Sequence, residues 1–277
     1  MFLSSRHTDL NHAHAASLLT SAERPHVTLD TPRLPSMDNF RDIAGSHLAY
    51  CTPTSVLRSN VFYRSNVVNP SPADKATLER LGVQAIFDLR ADQEIAAEPD
   101  THLDGSQYQQ FNVLGHRFEA FDPSSFKPRS AEEVSELMRE VNRDFVRSAP
   151  VRSVLGELLT AMAQTPGPVL FHCSAGKDRT GWVTALLQSI AGADETVLMN
   201  DYLATNVYTA ARIKATLAAM PEDKGAIYAP ALTVDASYLN AALEQVRQQF
   251  GDMPEYLRTG LHLSSRTLND LRSKLLV

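Results

Sequence analysis

The chain has 277 residues, of which 43% are hydrophobic and 21% charged, and a formal net charge of −6. That composition supports an ordinary buried core, and the negative balance excludes a binder that holds nucleic acid through bulk positive charge. Two cysteines, Cys51 and Cys173, cannot build a disulfide framework and point to a reducing compartment. No stretch approaches the ~20 consecutive apolar residues that span a bilayer, and Met1 to Arg6 contain no secretory apolar run. The expectation is a soluble protein with no integral membrane segment, cytoplasmic or exported without a recognisable signal peptide.

Residues 1–30 carry His7, His12, His14 and His26 among small and polar residues and read as a flexible arm. The His-Ala-His spacing lacks the cysteine or carboxylate company of a metal site. Residues 31–277 read as one domain, with no internal repeat and no linker. After a turn around Asn39–Gly45, Leu48 to Cys51 and Val61 to Ser65 read as short strands, with Arg41 and Asp42 as a surface ion pair. Pro72 to Leu81 is a helix, with Ser71 as N-cap, Pro72 at its first position and Gly82 just past its end. Val83 to Arg90 is a buried strand, and the helix-then-strand order is that of an α/β sheet, whose ligands collect at the carboxyl ends of strands. Asp88 and Arg90 stand at such an end. Asp92, Glu94, Glu98 and Asp100 form an acidic helical turn with a solvated face, and Tyr108 to Val113 is another strand.

From Arg117 to Pro128 the chain is rich in Phe, Ser and Pro. Val134, Leu137, Met138, Val141 and Phe145 then fall on one face of a helix. A second helix starts at Pro150 and is stopped by Thr165-Pro166-Gly167-Pro168. Val169 to Cys173 reads as a buried strand, followed by a tight small-residue loop and a helix that begins near Thr180 and ends before Gly192. The remaining helices are placed over about Asp194–Asn206, Val207–Met220, Asp235–Phe250 and Ser264–Leu275.

The strand-loop-helix from Val169 to Gly181 makes an anion site, because a helix N-terminus offers unpaired N–H groups and the positive end of its dipole. Five residues separate Cys173 from Arg179. Backbone N–H groups of Ser174, Ala175, Gly176 and the residues after them can ring the oxygens of a phosphate monoester, and the Arg179 guanidinium adds a planar fork. A free thiol is mostly protonated at neutral pH, and a helix N-terminus with adjacent cations favours the nucleophilic thiolate. Cys173 then attacks phosphorus, and water hydrolyses the cysteinyl phosphate. Thr180 can donate its hydroxyl to the sulfur. The scheme needs no metal and no other cofactor, because Arg179 and the loop amides balance the transition-state charge.

His172-Cys173-Ser174-Ala175-Gly176-Lys177-Asp178-Arg179-Thr180-Gly181 resembles the signature loop of the cysteine-dependent protein tyrosine phosphatases, in a bacterial branch that includes lipid phosphatases. The resemblance extends to Asn39-Phe40-Arg41-Asp42, Tyr63-Arg64-Ser65, Asp88-Leu89-Arg90 and Asn200-Asp201-Tyr202-Leu203, and covers nearly all of the chain after about residue 35. It implies a central, mostly parallel sheet flanked by helices, with a helical lid over the active site, here at 117–149. It also implies broad specificity: phosphotyrosine, phosphoserine or phosphothreonine, and phosphoinositides. The partners are then a phosphorylated protein or phosphoinositide substrate, with no nucleic acid. Arg64 joins the substrate-binding set on the same ground.

The leaving oxygen needs a proton, and a carboxylic acid is its usual donor. The Trp-Pro-Asp loop of other tyrosine phosphatases is absent, since the only tryptophan is Trp182. Asp88 and Asp178 remain, with Asp88 slightly preferred because the cations beside Asp178 favour its ionised form. Lys177 offers either reinforcement of the thiolate or a point charge for a second phosphate. Two rival readings stand beside this one: hydrolysis of soluble inositol polyphosphates or pyrophosphates, and a non-catalytic phosphate-binding adaptor. Cys51 reads as a small core residue.

Overall fold

The computed structural model describes residues 31–45, 48–114 and 127–277. The histidine-bearing arm and residues 117–126 of the lid expected over 117–149 lie outside the described residues.

Among the described residues five strands form one sheet: Arg41–Asp42 (β1), Phe62–Ser65 (β2), Ala85–Asp88 (β3), Gln107–Gln110 (β4) and Val169–His172 (β5), in the order β1-β2-β5-β3-β4. β1 runs antiparallel to β2, and β2, β5, β3 and β4 are mutually parallel. The inner strands are buried on both faces, as a parallel sheet covered by helices requires. Alternate side chains therefore enter different cores. Tyr63, Ile86 and Leu170 meet Phe40, Leu78 and Leu103 on one side. Phe62, Phe87, Val169 and Phe171 join Leu155, Leu158 and Trp182 on the other.

Pro72–Arg80 (α1) starts on Ser71, whose hydroxyl accepts the Asp74 N–H at 3.2 Å, and stops at Gly82, which turns with φ +69°. Asp92–Ala97 (α2) connects β3 to β4. Ala131–Arg147 (α3) and Ala149–Gln164 (α4) precede β5, and Asp178–Ala191 (α5) follows the loop after it. Phe145 of α3 stacks on Trp182 of α5 with ring centroids 6.5 Å apart. Glu195–Tyr208 (α6), Ala210–Ala218 (α7), Glu222–Leu232 (α8), Ala236–Phe250 (α9) and Ser265–Leu275 (α10) complete the helical layers, with a π-helical turn at Tyr256–Gly260 before α10.

Three local expectations change. Leu48–Cys51 forms no strand: Cys51 makes an isolated bridge to Val56, and among the described residues the edge strand is Arg41–Asp42 instead. The Asp42 carboxylate fixes that edge by accepting the N–H groups of Ala44 at 2.8 Å and Asn60 at 2.6 Å. The single helix expected over Val207–Met220 is divided at Thr209, whose hydroxyl bonds back to the Thr205 carbonyl at 2.8 Å. Helix α8 forms where the sequence predicts none, since Gly225 and Pro230 lie inside it. Gly225 is buried in α8, where a Cβ would meet Leu217 of α7 at 3.7 Å.

β2, β5 and β3 are in register at Ser65, His172 and Asp88. The segments leaving these strands start at one level, the carboxyl edge of the sheet, and the Cys173 loop lies between the other two.

Candidate active site

The loop from Cys173 to Asp178 is anchored through its carbonyls. Ser174 O accepts the Val67 N–H at 3.2 Å and Lys177 O accepts the Gly181 N–H at 2.7 Å. Ala175 O and Gly176 O accept the side-chain amide of Asn39 at 3.0 and 2.8 Å, and Gly176 O also accepts Arg64 Nη2 at 2.8 Å. Among the described residues none of the backbone N–H groups from Ser174 to Arg179 donates to another backbone group. Peptide groups whose carbonyls are held on the outside turn their amides to the inside, which makes an anion nest at the start of α5. The turn requires glycine at 176: its φ is +67°, and a Cβ there would sit 2.4 Å from the Ser65 carbonyl oxygen.

Beneath the loop lies an ionic frame. Asp201 of α6 takes Arg41 Nε at 3.2 Å and Arg64 Nη1 at 2.5 Å, while Arg41 Nη2 reaches Asp201 O at 2.9 Å and Thr205 Oγ1 at 3.1 Å. Arg41 also donates to the Asn39 side-chain oxygen, which orients the amide that holds the loop. Burial and the charge of Arg41 push Arg64 down to about 10, with Asp201 opposing them. Burial disfavours the Asp201 carboxylate, but the two guanidinium groups outweigh it and hold Asp201 below the usual range. Arg41 and Asp42 are therefore not a surface ion pair. Both are buried with separate partners, and burial raises Asp42 to about 6.

The residue that sequence reasoning missed is Glu94. Its Oε2 accepts Arg179 Nη1 and its Oε1 accepts Arg179 Nη2, each at 2.7 Å, and Oε1 also accepts the Ser174 hydroxyl at 2.5 Å. Burial opposes this carboxylate, yet the Arg179 hydrogen bonds and charge, with Ser174 and the Ala91 N–H, hold it at about 2. The pairing uses the Nη1–Nη2 edge of the guanidinium and leaves the Nε–Nη2 edge for a ligand. Glu94 looked like one of four acids on a solvated turn. Only the sheet order, which sets the segment after β3 beside the segment after β5, brings it to Arg179.

Residues 32–277 match the model of the tyrosine phosphatase family. The chain belongs to that family. It is 29% identical to the triple specificity protein phosphatase PtpB of Mycobacterium tuberculosis over 88% of this chain and 98% of that protein. A tyrosine-protein phosphatase of Nostoc commune is 28% identical over 55% of this chain and 50% of that one. Among solved structures, that of P. aeruginosa TpbA covers 80% of this chain and 96% of its own, with 18% identity and a TM-score of 0.30.

The expected site residues separate into two groups. Cys173 is buried at 3% exposure at the loop's start, with Arg179 and Asp178 at the other end. Asp178 Oδ1 accepts the Tyr202 hydroxyl at 3.1 Å and lies 3.5 Å from Asn142 Nδ2, and its Oδ2 is 3.1 Å from Lys177 Nζ. Asp178 and Arg179 border a cavity of about 370 Å³ whose other walls include Leu114, Leu137, Met138, Val141 and Phe145. Lys177 is 7% exposed and also donates to the Thr233 carbonyl at 3.0 Å, so its ammonium is committed to the protein. Thr180 Oγ1 is buried without a partner among the described residues.

Asp88 and Arg64 stand apart. Arg64 is fully buried and underpins the loop rather than lining its mouth. Asp88, also fully buried, takes Arg90 Nε at 2.9 Å and Nη2 at 2.8 Å and the Tyr108 hydroxyl at 2.9 Å. Burial disfavours its charge, but the Arg90 hydrogen bonds and neighbouring positive charge keep it below the usual carboxylate range. Arg90 Nη2 also reaches Asp100 at 3.0 Å, and Asp100 meets His172 Nε2 at 2.9 Å. Asp88, Asp100 and His172 have the donor set of a metal site, their ligand atoms within 4.8 Å of one another. The Arg90 guanidinium bridges both carboxylates and already supplies the balancing cation.

Proposed function

We propose that this chain hydrolyses phosphate monoesters through a cysteinyl-phosphate intermediate, with phosphotyrosine and phosphoinositides among its substrates. The observation that carries the reading is the loop itself: inward-facing amides from Ser174 to Arg179, a cysteine at their base, and one guanidinium edge of Arg179 left over by Glu94. Three equatorial phosphoryl oxygens fit those donors, which leaves phosphorus in line with Cys173 Sγ.

Cys173 attacks phosphorus while Asp178 protonates the leaving oxygen. Asp178 then takes a proton from the water that hydrolyses the thiophosphate ester, and Thr180 donates its hydroxyl to the departing sulfur. Asp178 is preferred over Asp88 as the acid. It lies on the loop and borders the cavity beside Arg179, whereas Asp88 is closed beneath the sheet edge and holds Arg90. The named sequence relative, a triple specificity phosphatase, supports breadth of substrate.

Cys173→Ser is expected to abolish turnover of p-nitrophenyl phosphate, a phosphotyrosine peptide and a phosphoinositide alike; residual turnover near the wild-type rate sinks the covalent route. Asp178→Asn and Asp88→Asn separate the acid roles on an aryl phosphate with a poor leaving group. Asp178→Asn should remove the basic limb of the kcat profile and lower kcat by about 10²-fold or more, and Asp88→Asn should keep that limb. The opposite pattern returns the acid role to Asp88.

A further inference from the structure

Tyr202 is buried at 1% exposure in α6, and none of the steps proposed above uses it. Its hydroxyl donates to Asp178 Oδ1 at 3.1 Å. Burial first, and then the charge of Asp178, push this phenol well above its usual range, so the hydroxyl keeps its hydrogen and acts as a donor. The ring is seated by a contact written in the sequence. Gly181 follows Asp178 by three residues and shares its face of α5, and a Cβ at 181 would sit 2.7 Å from Tyr202 Cδ2 and 2.8 Å from Cε2. Glycine there lets the ring lie directly against the first turn of α5. The preceding residue, Asp201, grips Arg64, which holds the Gly176 carbonyl. Two consecutive residues of α6 therefore reach both the turn of the nucleophile loop and its far end.

We propose that Tyr202 is a positioning residue for the general acid: its hydrogen bond holds the Asp178 carboxyl in the orientation from which the leaving oxygen is protonated. The proposal rests on the assignment of Asp178 as the acid and adds a residue to it. The carboxyl has a competing attraction in Lys177, whose Nζ lies 3.1 Å from Oδ2. An ammonium is a point charge with rotatable donors and sets little direction. A phenol O–H is directional, and this one is fixed by a buried ring, so bonding Oδ1 sets the plane of the group. Asn142 of α3, 1% exposed, adds its Nδ2 at 3.5 Å from the same oxygen. In the first displacement the carboxyl O–H bond breaks as the new O–H bond forms on the leaving oxygen. Negative charge then builds on Asp178, and the hydrogen bond from Tyr202, which keeps its own proton, strengthens with it. The contact is worth more in the transition state than in the ground state, and only where the leaving group demands a proton.

The test compares kcat/KM on phenyl phosphate, whose leaving oxygen needs a proton, with dinitrophenyl phosphate, whose leaving group departs as the anion, for wild type, Tyr202→Phe, Asp178→Asn and the double variant. Tyr202→Phe should lose about tenfold on phenyl phosphate and less than about threefold on dinitrophenyl phosphate. Added to Asp178→Asn it should change phenyl phosphate turnover by no more than about twofold, because the group it positions is already gone. An equal loss on both substrates, no loss on either, or a full further loss in the Asp178→Asn background overturns the assignment. If Tyr202→Phe fails to fold, Gly181→Ala, whose Cβ displaces the ring and its hydroxyl, carries the same comparison. Asp178→Asn that discriminates between the two substrates beside a Tyr202→Phe that does not defeats this inference alone, whereas equal losses in Asp178→Asn itself defeat the acid reading beneath it.

Discussion

Replacing Glu94 by Gln keeps the shape of the side chain and removes its charge. One carboxylate oxygen becomes an NH2 group, and because each oxygen accepts an Arg179 N–H, the bidentate lock is broken on one side in either orientation. Holding the Glu94 carboxyl at about 2 against its ordinary 4.5 corresponds to about 3 kcal/mol of interaction. With the side chain 30% exposed, solvent screening reduces that to about 2 kcal/mol. An Arg179 free to swing presents its Nε–Nη2 edge to the phosphoryl oxygens less often, and misplacement of this kind costs up to ~10²-fold in rate. Glu94→Gln should therefore lower kcat on p-nitrophenyl phosphate by about 10- to 100-fold, with a smaller change in KM, because the loop amides still bind the ground state. The carboxyl is depressed in the fold, so its stabilisation is complete above its unfolded value and disappears as pH falls through the folded one. In urea denaturation the gap between wild type and variant, about 2 kcal/mol at pH 6, should close between pH ~5 and pH ~2. A variant within threefold of wild type in kcat, or a stability gap that does not change with pH, refutes the assigned role.

Gly176→Ala forces a Cβ to within 2.4 Å of Ser65 O at a positive φ, so the loop must lift; activity should fall by about 10²-fold or more, with a moderate loss of thermal stability, and a near-normal kcat would contradict the rigid-loop account. Asp201→Asn leaves Arg41 and Arg64 buried against a neutral amide and should cost about 3–5 kcal/mol in urea denaturation; a loss below about 1 kcal/mol, the size of an exposed ion pair's contribution, would mean that the frame is not ionic. Lys177→Met should reduce turnover of p-nitrophenyl phosphate and of a phosphoinositide by the same factor, since its ammonium is tied to Thr233 and Asp178. A loss confined to the phosphoinositide would return headgroup recognition to Lys177.

The parts of the site that were legible in the sequence are those written in consecutive residues. The apolar run Val169–Phe171, the small residues after Cys173 and the helix beyond them specify the strand, loop and helix directly, because backbone geometry and anion binding there depend on local spacing. The partners of the loop's arginines were not legible. Glu94 is 85 residues before Arg179 in sequence, on a turn whose four acids look equivalent by composition, and Asp201 meets Arg41 and Arg64 only once α6 has packed over the end of β2. Asp88 is placed by a related constraint. A strand end beside the strand that leads into Cys173 is a sound place to seek an acid, but the strand register sets Asp88 level with His172 rather than with Cys173, and its carboxylate meets Arg90. The same limit applies to Arg64, whose place at a strand end gave no sign that the loop would close over it.

The frame under the loop also bears on how the site responds to salt. Arg41, Arg64, Arg90 and Arg179 are all buried, in a protein whose net charge is −6, and buried guanidinium groups require charge partners. Asp201 serves the first two, Asp88 and Asp100 the third, and Glu94 the fourth. Pairing neutralises each cation as a monopole but leaves its direction fixed, so the phosphate meets oriented N–H groups rather than a bare positive field. Oriented dipoles in a buried loop are screened weakly, even as the Debye length contracts from ~10 Å at 0.1 M to ~3 Å at 1 M salt. Raising the salt should therefore change kcat on p-nitrophenyl phosphate little. A steep fall in kcat with salt would mean that the site acts through a bare positive field rather than through oriented donors.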